Sequence, residues 1–229
     1  MEPVIIIPAR GGSTRISRKN VKPFNGAPMI HWPISSALAC VPGENVVVST
    51  EDPEVAQAAV AAGASVPFMR PPELADDQAG TAPVIVHALD VLELEDDTVV
   101  MCLYPTAPVP SALLAEALSV GLEHAGEFVV SLGRHRSPQE RSLVETSDGK
   151  MALADSGALF SRTQDLPQRF FDAGKFYVAT AGTWRSRETM MAEPLVPFFL
   201  PDWASVDMDE PDDWPVAEAL HRAFVLEAE

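Results

Sequence analysis

The sequence predicts an α/β fold built on a three-layer, doubly wound and mostly parallel sheet, and three observations carry that expectation. Short continuous apolar runs such as "PVIIIPAR", "NVVVST" and "TVVMCLYP" have the character of strands buried on both faces. Between them lie Ala- and Leu-rich stretches of roughly ten to fifteen residues, long enough for helices that cover such a sheet. Strand and helix then alternate in order, as βαβ units require. A chain of 229 residues suffices for one well-buried core, so a single domain over 1–229 is expected.

The elements follow in order. The first strand, "VIIIPAR", ends in a loop containing Gly11 and Gly12, and a helix over 28–39 leads to the strand "NVVVST". The Ala-rich stretch 53–62 has a proline at its start and Gly63 just beyond its end, a helix signature. "SVPFMR" is expected as the third strand, 81–94 as a helix, "TVVMCLYP" as the fourth strand, 111–124 as a helix and "EFVVSLG" as the fifth strand. There the rhythm breaks. Residues 134–172 alternate weakly, contain the turn pair Asp148–Gly149 and then become polar and irregular, over too great a length for a plain loop. They are expected as an insertion, partly a hairpin, that leaves the core sheet and meets a second subunit. "GKFYVAT" and "PLVPFFLP" return to the core, and a helix over 212–226 closes the chain.

A net charge of −17 argues against nucleic acid or an anionic membrane as partner, since phosphate backbones are met by distributed Lys and Arg. The N-terminus reads directly into "VIII" without a basic leader, and no apolar run approaches the ~20 residues that span a bilayer. A cytoplasmic protein is expected. Cys40 and Cys102 lack metal-ligand spacing and lie in apolar surroundings, as buried free thiols do.

Against that acidity, "ARGGSTRISRKNVK" gathers Arg10, Arg15, Arg18, Lys19 and Lys22 after the first strand, where open α/β sheets bind ligands. Gly11 and Gly12 allow close backbone approach, and Arg10, Arg15 and Lys19 would neutralise a polyphosphate by charge-assisted hydrogen bonds. The plainer alternative is a basic surface turn paired with the acidic remainder; the Gly-Gly pair at a strand end favours the phosphate. The segment matches neither the P-loop nor the dinucleotide fingerprint, because "GGSTRI" lacks the glycine spacing of either. Far away in sequence, "SVDMDEPDDW" places Asp207 and Asp209 two apart, so on an extended segment both carboxylates project to one side and suit Mg²⁺. The alternative is a solvated acidic run before the last helix, the role expected of Asp212 and Asp213. A basic loop together with such carboxylates implies nucleoside triphosphate chemistry.

"IPARGGSTRISRKNVKPFNGAPMI" resembles the first motif of the CMP-sialic acid synthetase family, the cytidylyltransferases that activate nine-carbon ulosonic acids. "VSTEDPEVAQAAVAAGASVPFMRPPELADDQAGT", "LYPTAP" and "VDMDEPDDW" are similar to its later blocks, in order and over nearly the whole chain. Within the family, "FNGAPMIHWPI", "SPQERSL" and "SRTQDLPQRFFDAGKFYV" are most similar to the pseudaminic acid branch, as is Tyr104, where the sialic acid branch usually carries Gln. Two positions depart from the family pattern: Glu51 stands where Asp is frequent, and Lys175 where Gln or Ala is common.

The resemblance implies the Rossmann-like fold of nucleotide-diphospho-sugar transferases and a reaction in which the C2 hydroxyl of the sugar acid attacks the α-phosphorus of CTP and pyrophosphate leaves. It implies that Ala9, Arg10, Gly11, Gly12 and Ser13 cradle the phosphates, with Arg15, Lys19 and Asn20 beside them. Arg70, Ala79 and Thr81 would recognise the cytosine, and Asp207 and Asp209 would hold Mg²⁺. Arg10 and Lys19 would stabilise the leaving pyrophosphate, with Asp209 also a local proton acceptor. On the sugar side Arg141 is the first choice to meet the carboxylate, with Arg162 or Arg169 from the insertion or a partner subunit as alternatives. Tyr104, Thr106, Asp172, Phe176 and Tyr177 are candidates around the sugar, although spacing alone makes the aromatics of "KFYV" core residues. A homodimer through the insertion is the family expectation. The competing readings are a cytidylyltransferase for N-acetylneuraminic, legionaminic or octulosonic acid and, in a different class, a glycosyltransferase whose DxD would be "DMD".

Overall fold

The computed structural model describes residues 2–13, 15–75, 80–187 and 189–227. Its central sheet has the strand order β10-β6-β9-β5-β1-β4. The strands are β1 (Val4–Pro8), β4 (Val46–Ser49), β5 (Val99–Leu103), β6 (Phe128–Arg134), β9 (Phe170–Thr180) and β10 (Leu195–Phe199). Helices α1 (His31–Leu38), α2 (Pro53–Ala61), α3 (Thr81–Val91), α4 (Ser111–Glu123), α5 (Ala181–Ser186) and α6 (Asp213–His221) complete the framework. Neighbours pair in parallel except at β9, which runs antiparallel to both β5 and β6.

The alternation of side chains along each strand divides the apolar residues between two cores. Ile5 and Ile7 of β1, with Met101 and Val178, pack under α1, α2 and α4 through Ile34, Val55 and Leu114. Val4 and Ile6, with Val100, Cys102 and Tyr177, pack on the other face under α3 and α5 through Ile85, Leu89 and Trp184. The expected three layers are present, and each expected helix forms within a few residues of its predicted ends. The helix over 53–62 is set by Asp52, whose carboxylate accepts from Glu54 N and Val55 N, with Pro53 in the first turn.

Three expectations need correction. "SVPFMR" does not form a third strand: Ser65 and Met69 make only isolated bridges to Val47 and Thr50, and Pro67 between them has no amide to extend a ladder. The helix expected from residue 28 begins at His31, because Pro23–Phe24 (β2) and Ala27–Pro28 (β3) form a small antiparallel hairpin. Asn25 and Gly26 at its turn both have positive φ (45° and 89°), the geometry that an Asn-Gly hairpin turn supplies. The insertion is shorter than 134–172. Its expected hairpin is present, β7 (Leu143–Glu145) against β8 (Met151–Leu153), but Phe170, Phe171 and Asp172 belong to β9 and pair with Arg134, Gly133 and Leu132. A hydrogen bond from His135 N to Arg169 O (3.0 Å) closes the neck of the excursion.

A third, smaller core lies outside the sheet. Ile16, Phe24, Met29, Met208, Trp214 and Ala217 bury one another and so tie the region after β1 to the C-terminal segment. Trp214 Nε1 donates to Pro23 O (3.3 Å), and Asn25 Nδ2 donates to Glu218 O (2.9 Å). Lys22 Nζ lies 4.3 Å from the centre of the Trp214 ring. The last helix ends at His221, and residues Arg222–Leu226 continue as a wider π-type turn.

His221 is 3% exposed, with its ring against Phe24 and Trp32 and its Nδ1 3.1 Å from Asn25 Nδ2. Burial pushes its pKa down to about 4. The unfolded chain, with an imidazole near its ordinary value of about 6.5, then binds more protons than the folded one, so stability falls as pH drops from there towards the folded value. The gap corresponds to on the order of 3 kcal/mol. His221→Phe is expected to lose less stability than the wild type between pH 7 and pH 4.5 in urea unfolding. An equal loss in both proteins would remove His221 as the source.

Candidate active site

From β1 the chain passes to β4 on one side and then to β5 on the other, so the carboxyl end of β1 is a topological switch point. A cavity of about 420 Å³ opens there. Its first wall is the basic loop. Ala9 N donates to Ser49 O (2.9 Å) and carries the sheet one residue further; Ala9 is fully buried and does not line the cavity, so the phosphate contact expected of it is corrected to a structural place in the sheet. Arg10, Ser13, Arg15, Lys19 and Asn20 line the cavity. Asn20 donates through Nδ2 to Arg10 O (2.8 Å) and accepts from Ile30 N, holding the loop against the start of α1.

The neighbouring carboxylates explain the loop's glycine. Gly11 N donates to Glu51 Oε1 (2.7 Å), and a Cβ at Gly11 would lie 2.1 Å from Asp52 Oδ2. Gly12 faces open space. Arg18, at φ 54°, is paired with Asp52 and Glu54, and Asp52 raises its pKa. That arginine fastens the loop to the start of α2.

The opposite wall carries the acidic pair. Met208 is buried in the third core, and its neighbours Asp207 and Asp209 both turn to the cavity, as the two-residue spacing predicts. Asp209 meets Arg15 Nη1 at 2.9 Å and Lys19 Nζ at 3.7 Å. Burial lowers the Lys19 pKa, opposed by Asp209 and Asp207. Among the described residues no group of three or more His, Cys, Asp or Glu is placed to hold a metal. Two carboxylates facing a cationic wall suit a hard cation whose other ligands are phosphate oxygens and water.

The floor is formed by Arg70, Thr81, Tyr104, Thr106 and Gly174 among others. Arg70 is 6% exposed; it donates to Ser49 O and, at 3.4 Å, to Leu74 O. Its Nε and Glu51 Oε2, 3.9 Å apart, are both buried without a hydrogen bond. The Tyr104 hydroxyl and Thr81 Oγ1 share a hydrogen bond of 2.8 Å, and burial pushes the phenol up to about 12, so it stays neutral.

Residues 4–205 match the family model described as cytidylyltransferase. The chain belongs to the cytidylyltransferase family. It is 32% identical over 225 residues to the pseudaminic acid cytidylyltransferase of Campylobacter jejuni, covering 97% of each chain. It is 30% identical to the CMP-N,N'-diacetyllegionaminic acid synthase of Legionella pneumophila, covering 96% of each. A solved CMP:2-keto-3-deoxy-manno-octonic acid synthetase complexed with CTP shares the fold, with a TM-score of 0.69 at 20% identity over 97% of this chain and 99% of that one. The protein is therefore a nucleotidyltransferase, and the glycosyltransferase alternative for "DMD" gives way.

In this cytidylyltransferase the residues expected around the sugar separate into groups. Tyr104 and Thr106 line the cavity. Tyr177 stands behind Tyr104, 2% exposed, with ring centroids 5.8 Å apart and its hydroxyl donating to Asp172. Phe176 requires correction: it faces the opposite side of β9 from Tyr177 and is fully buried against Phe198 in the core under α4. In a strand, adjacent aromatics do not share a face. Arg141 lies outside the cavity, in the insertion, where its guanidinium donates to Ser161 O (2.5 Å). Ala79 lies outside the described residues.

One residue behind the acidic wall was missed. Lys175 is 3% exposed on β9 and donates through Nζ to Val206 O (2.6 Å), and burial lowers its pKa to about 8. The signal was present: a lysine inside the apolar run "GKFYVAT", in a chain with only Lys19, Lys22 and Lys150 besides.

Gly11→Ala, which sets a methyl into the Asp52 carboxylate, is expected to raise the Kd for CTP about tenfold or more, the scale of one lost charge-assisted contact. Gly12→Ala should leave it within about threefold, since that Cβ enters open space. Calorimetric titration of both variants checks the pair, and equal effects would remove the assigned part of Asp52.

Proposed function

We propose that the enzyme joins CTP to the anomeric hydroxyl of a nine-carbon ulosonic acid, and that this acid is pseudaminic acid. The observation that carries the reading is the cavity itself, in which Arg10, Arg15 and Lys19 face Asp207 and Asp209 across the switch point. The choice of sugar is supported by similarity to the Campylobacter jejuni enzyme along the whole of both chains and by Tyr104 on the cavity floor. The legionaminic acid synthase similarity supports the runner-up.

The loop residues hold and orient the triphosphate, with Arg10 and Lys19 stabilising the charge that gathers on the departing pyrophosphate. Thr81 and Arg70 of the cavity floor would meet the base, and the neutral Tyr104 hydroxyl would offer the sugar a donor. The sugar C2 oxygen forms a bond to the α-phosphorus as the bond from that phosphorus to the bridging oxygen of pyrophosphate breaks, and the hydroxyl proton passes to Asp209. Asp207 and Asp209 would hold Mg²⁺, which when bound supplies charge neutralisation to the phosphate oxygens. A homodimer through 135–169 belongs to the same reading: Leu143, Val144, Met151 and Phe160 of that excursion are exposed, and a partner's copy of it would have to bring Arg141 to a sugar carboxylate. The reaction is expected in the cytoplasm, where thiols such as Cys40 and Cys102 stay reduced.

Pyrophosphate release with CTP, Mg²⁺ and a panel of pseudaminic, legionaminic, N-acetylneuraminic and octulosonic acids tests the substrate. Release with pseudaminic acid supports the proposal; release only with another acid replaces the sugar and keeps the reaction. Lys19→Ala and Asp209→Ala are each expected to depress turnover about tenfold or more while the unfolding midpoint is kept, the scale of a lost transition-state contact. Near-normal rates in both would overturn the roles given to these residues.

A further inference from the structure

Lys175 has no part in the chemistry above, yet its position is unusual. It follows Gly174, a cavity-lining residue, at a bulge where Ser131 Oγ accepts from both Lys175 N and Phe176 N (3.1 Å each). Its ammonium turns away from the cavity and ends on Val206 O, the carbonyl immediately before Asp207. If a donor for that carbonyl were all the fold required, an uncharged side chain would serve, because burying an ammonium carries a desolvation penalty of several kcal/mol per ion. The opposite charges that favour the ammonium there are those of Asp207 and Asp209.

The acidic pair thus has cations on both sides. Arg15 and Lys19 approach Asp209 from the cavity, and Lys175 stands behind. Arg15 is shared between Asp209 and Glu210, and with Lys19 and Lys175 it offsets part of the charge of Asp207 and Asp209, so a divalent ion arriving alone meets repulsion from cations already in place, most of all from the buried Lys175. A triphosphate changes the balance, because it brings its own anionic ligands and draws Arg15 and Lys19 to itself. The buried Lys175, held on Val206 O, cannot follow, so near neutral pH its charge acts on the pair with and without the nucleotide.

We propose that Lys175 is a positioning residue whose fixed charge behind Asp207 and Asp209 keeps the site from holding a divalent cation by itself and makes cation binding conditional on the nucleotide. This rests on the reading of Asp207 and Asp209 as the cation's ligands. In kinetic language the enzyme takes its metal with the triphosphate and not before it.

The test is Mn²⁺ binding to the full chain, followed by electron paramagnetic resonance with and without CTP. Wild-type protein is expected to bind Mn²⁺ about tenfold or more weakly when CTP is absent, the scale of one poorly screened like charge. Lys175→Gln, which keeps a donor for Val206 O, and Lys175→Met, which keeps only the stem, should both tighten CTP-free binding by about tenfold. A purely structural lysine predicts the reverse order, with Gln unchanged and Met weakened, and that result overturns the proposal. Should neither variant fold, the wild-type comparison decides: equal Mn²⁺ affinity with and without CTP overturns it. The double variant Lys175→Gln/Asp209→Asn separates the two levels. A gain lost in the double variant supports the proposal, whereas a gain that persists puts the ion elsewhere and overturns the metal reading with it.

Discussion

Everything in the cavity depends on a small apolar contact that lies outside the main sheet. Ile16, Phe24 and Met29 follow the first strand, Met208 and Trp214 follow the last, and their mutual burial brings the basic loop and the acidic pair face to face. Burying a side chain of this size contributes about 1.5–3 kcal/mol. The ion pair between Arg15 and Asp209 is more than half exposed on the arginine and 40% exposed on the aspartate, a class of contact worth about 0–1 kcal/mol. The apolar contact therefore sets the geometry and the charges use it. Because Met208 enters this core, its neighbours Asp207 and Asp209 are turned the other way, to the cavity.

The same reasoning explains what was legible in the sequence. Strands β1, β4, β5 and β6 were readable because a strand buried on both faces is a continuous apolar run, and each is nearly or wholly buried. The run that became β9 was equally readable as a strand but not in its direction, since apolar content carries no polarity and only the pairing with β5 and β6 reveals it. In "SVPFMR" Val66 and Phe68 favour a strand, but Pro67 between them has no amide to give a ladder, and only isolated bridges form. Asn25–Gly26 carries a strong short-range turn signal, and the expected helix start at 28 took in only Pro28, the last residue of the hairpin it forms.

At the site, residues close in sequence to a strand end come together: Arg10, Ser13, Lys19 and Asn20 after β1, and Tyr104 and Thr106 after β5, all line one cavity. Phe176 is different: spacing alone makes the aromatics of "KFYV" core residues, and the strand sends Phe176 and Tyr177 to opposite cores, so the sugar-side place implied for Phe176 by the resemblance gives way. Lys175 escaped for a different reason. Its role depends on what lies across the sheet from it, and the segment it touches is Val206, 31 residues further along.

The distribution of charge resolves the contrast between an acidic chain and a basic loop. Of the five cations in that stretch, Arg18 is bound to Asp52 and Glu54 and Lys22 lies on Trp214, so two hold the loop in place. Arg10, Arg15 and Lys19 line the cavity. Both a nucleoside triphosphate and a sugar acid are anions, and a net charge of −17 opposes their approach at long range. At physiological ionic strength, however, exposed charges are screened beyond about 8 Å. Inside that distance an anion at the switch point meets the cationic wall of Arg10, Arg15 and Lys19, and the rest of the surface is muted by salt. Attraction is thereby confined to the cavity, and recognition is left to short-range hydrogen bonds whose geometry the apolar contact beneath them fixes.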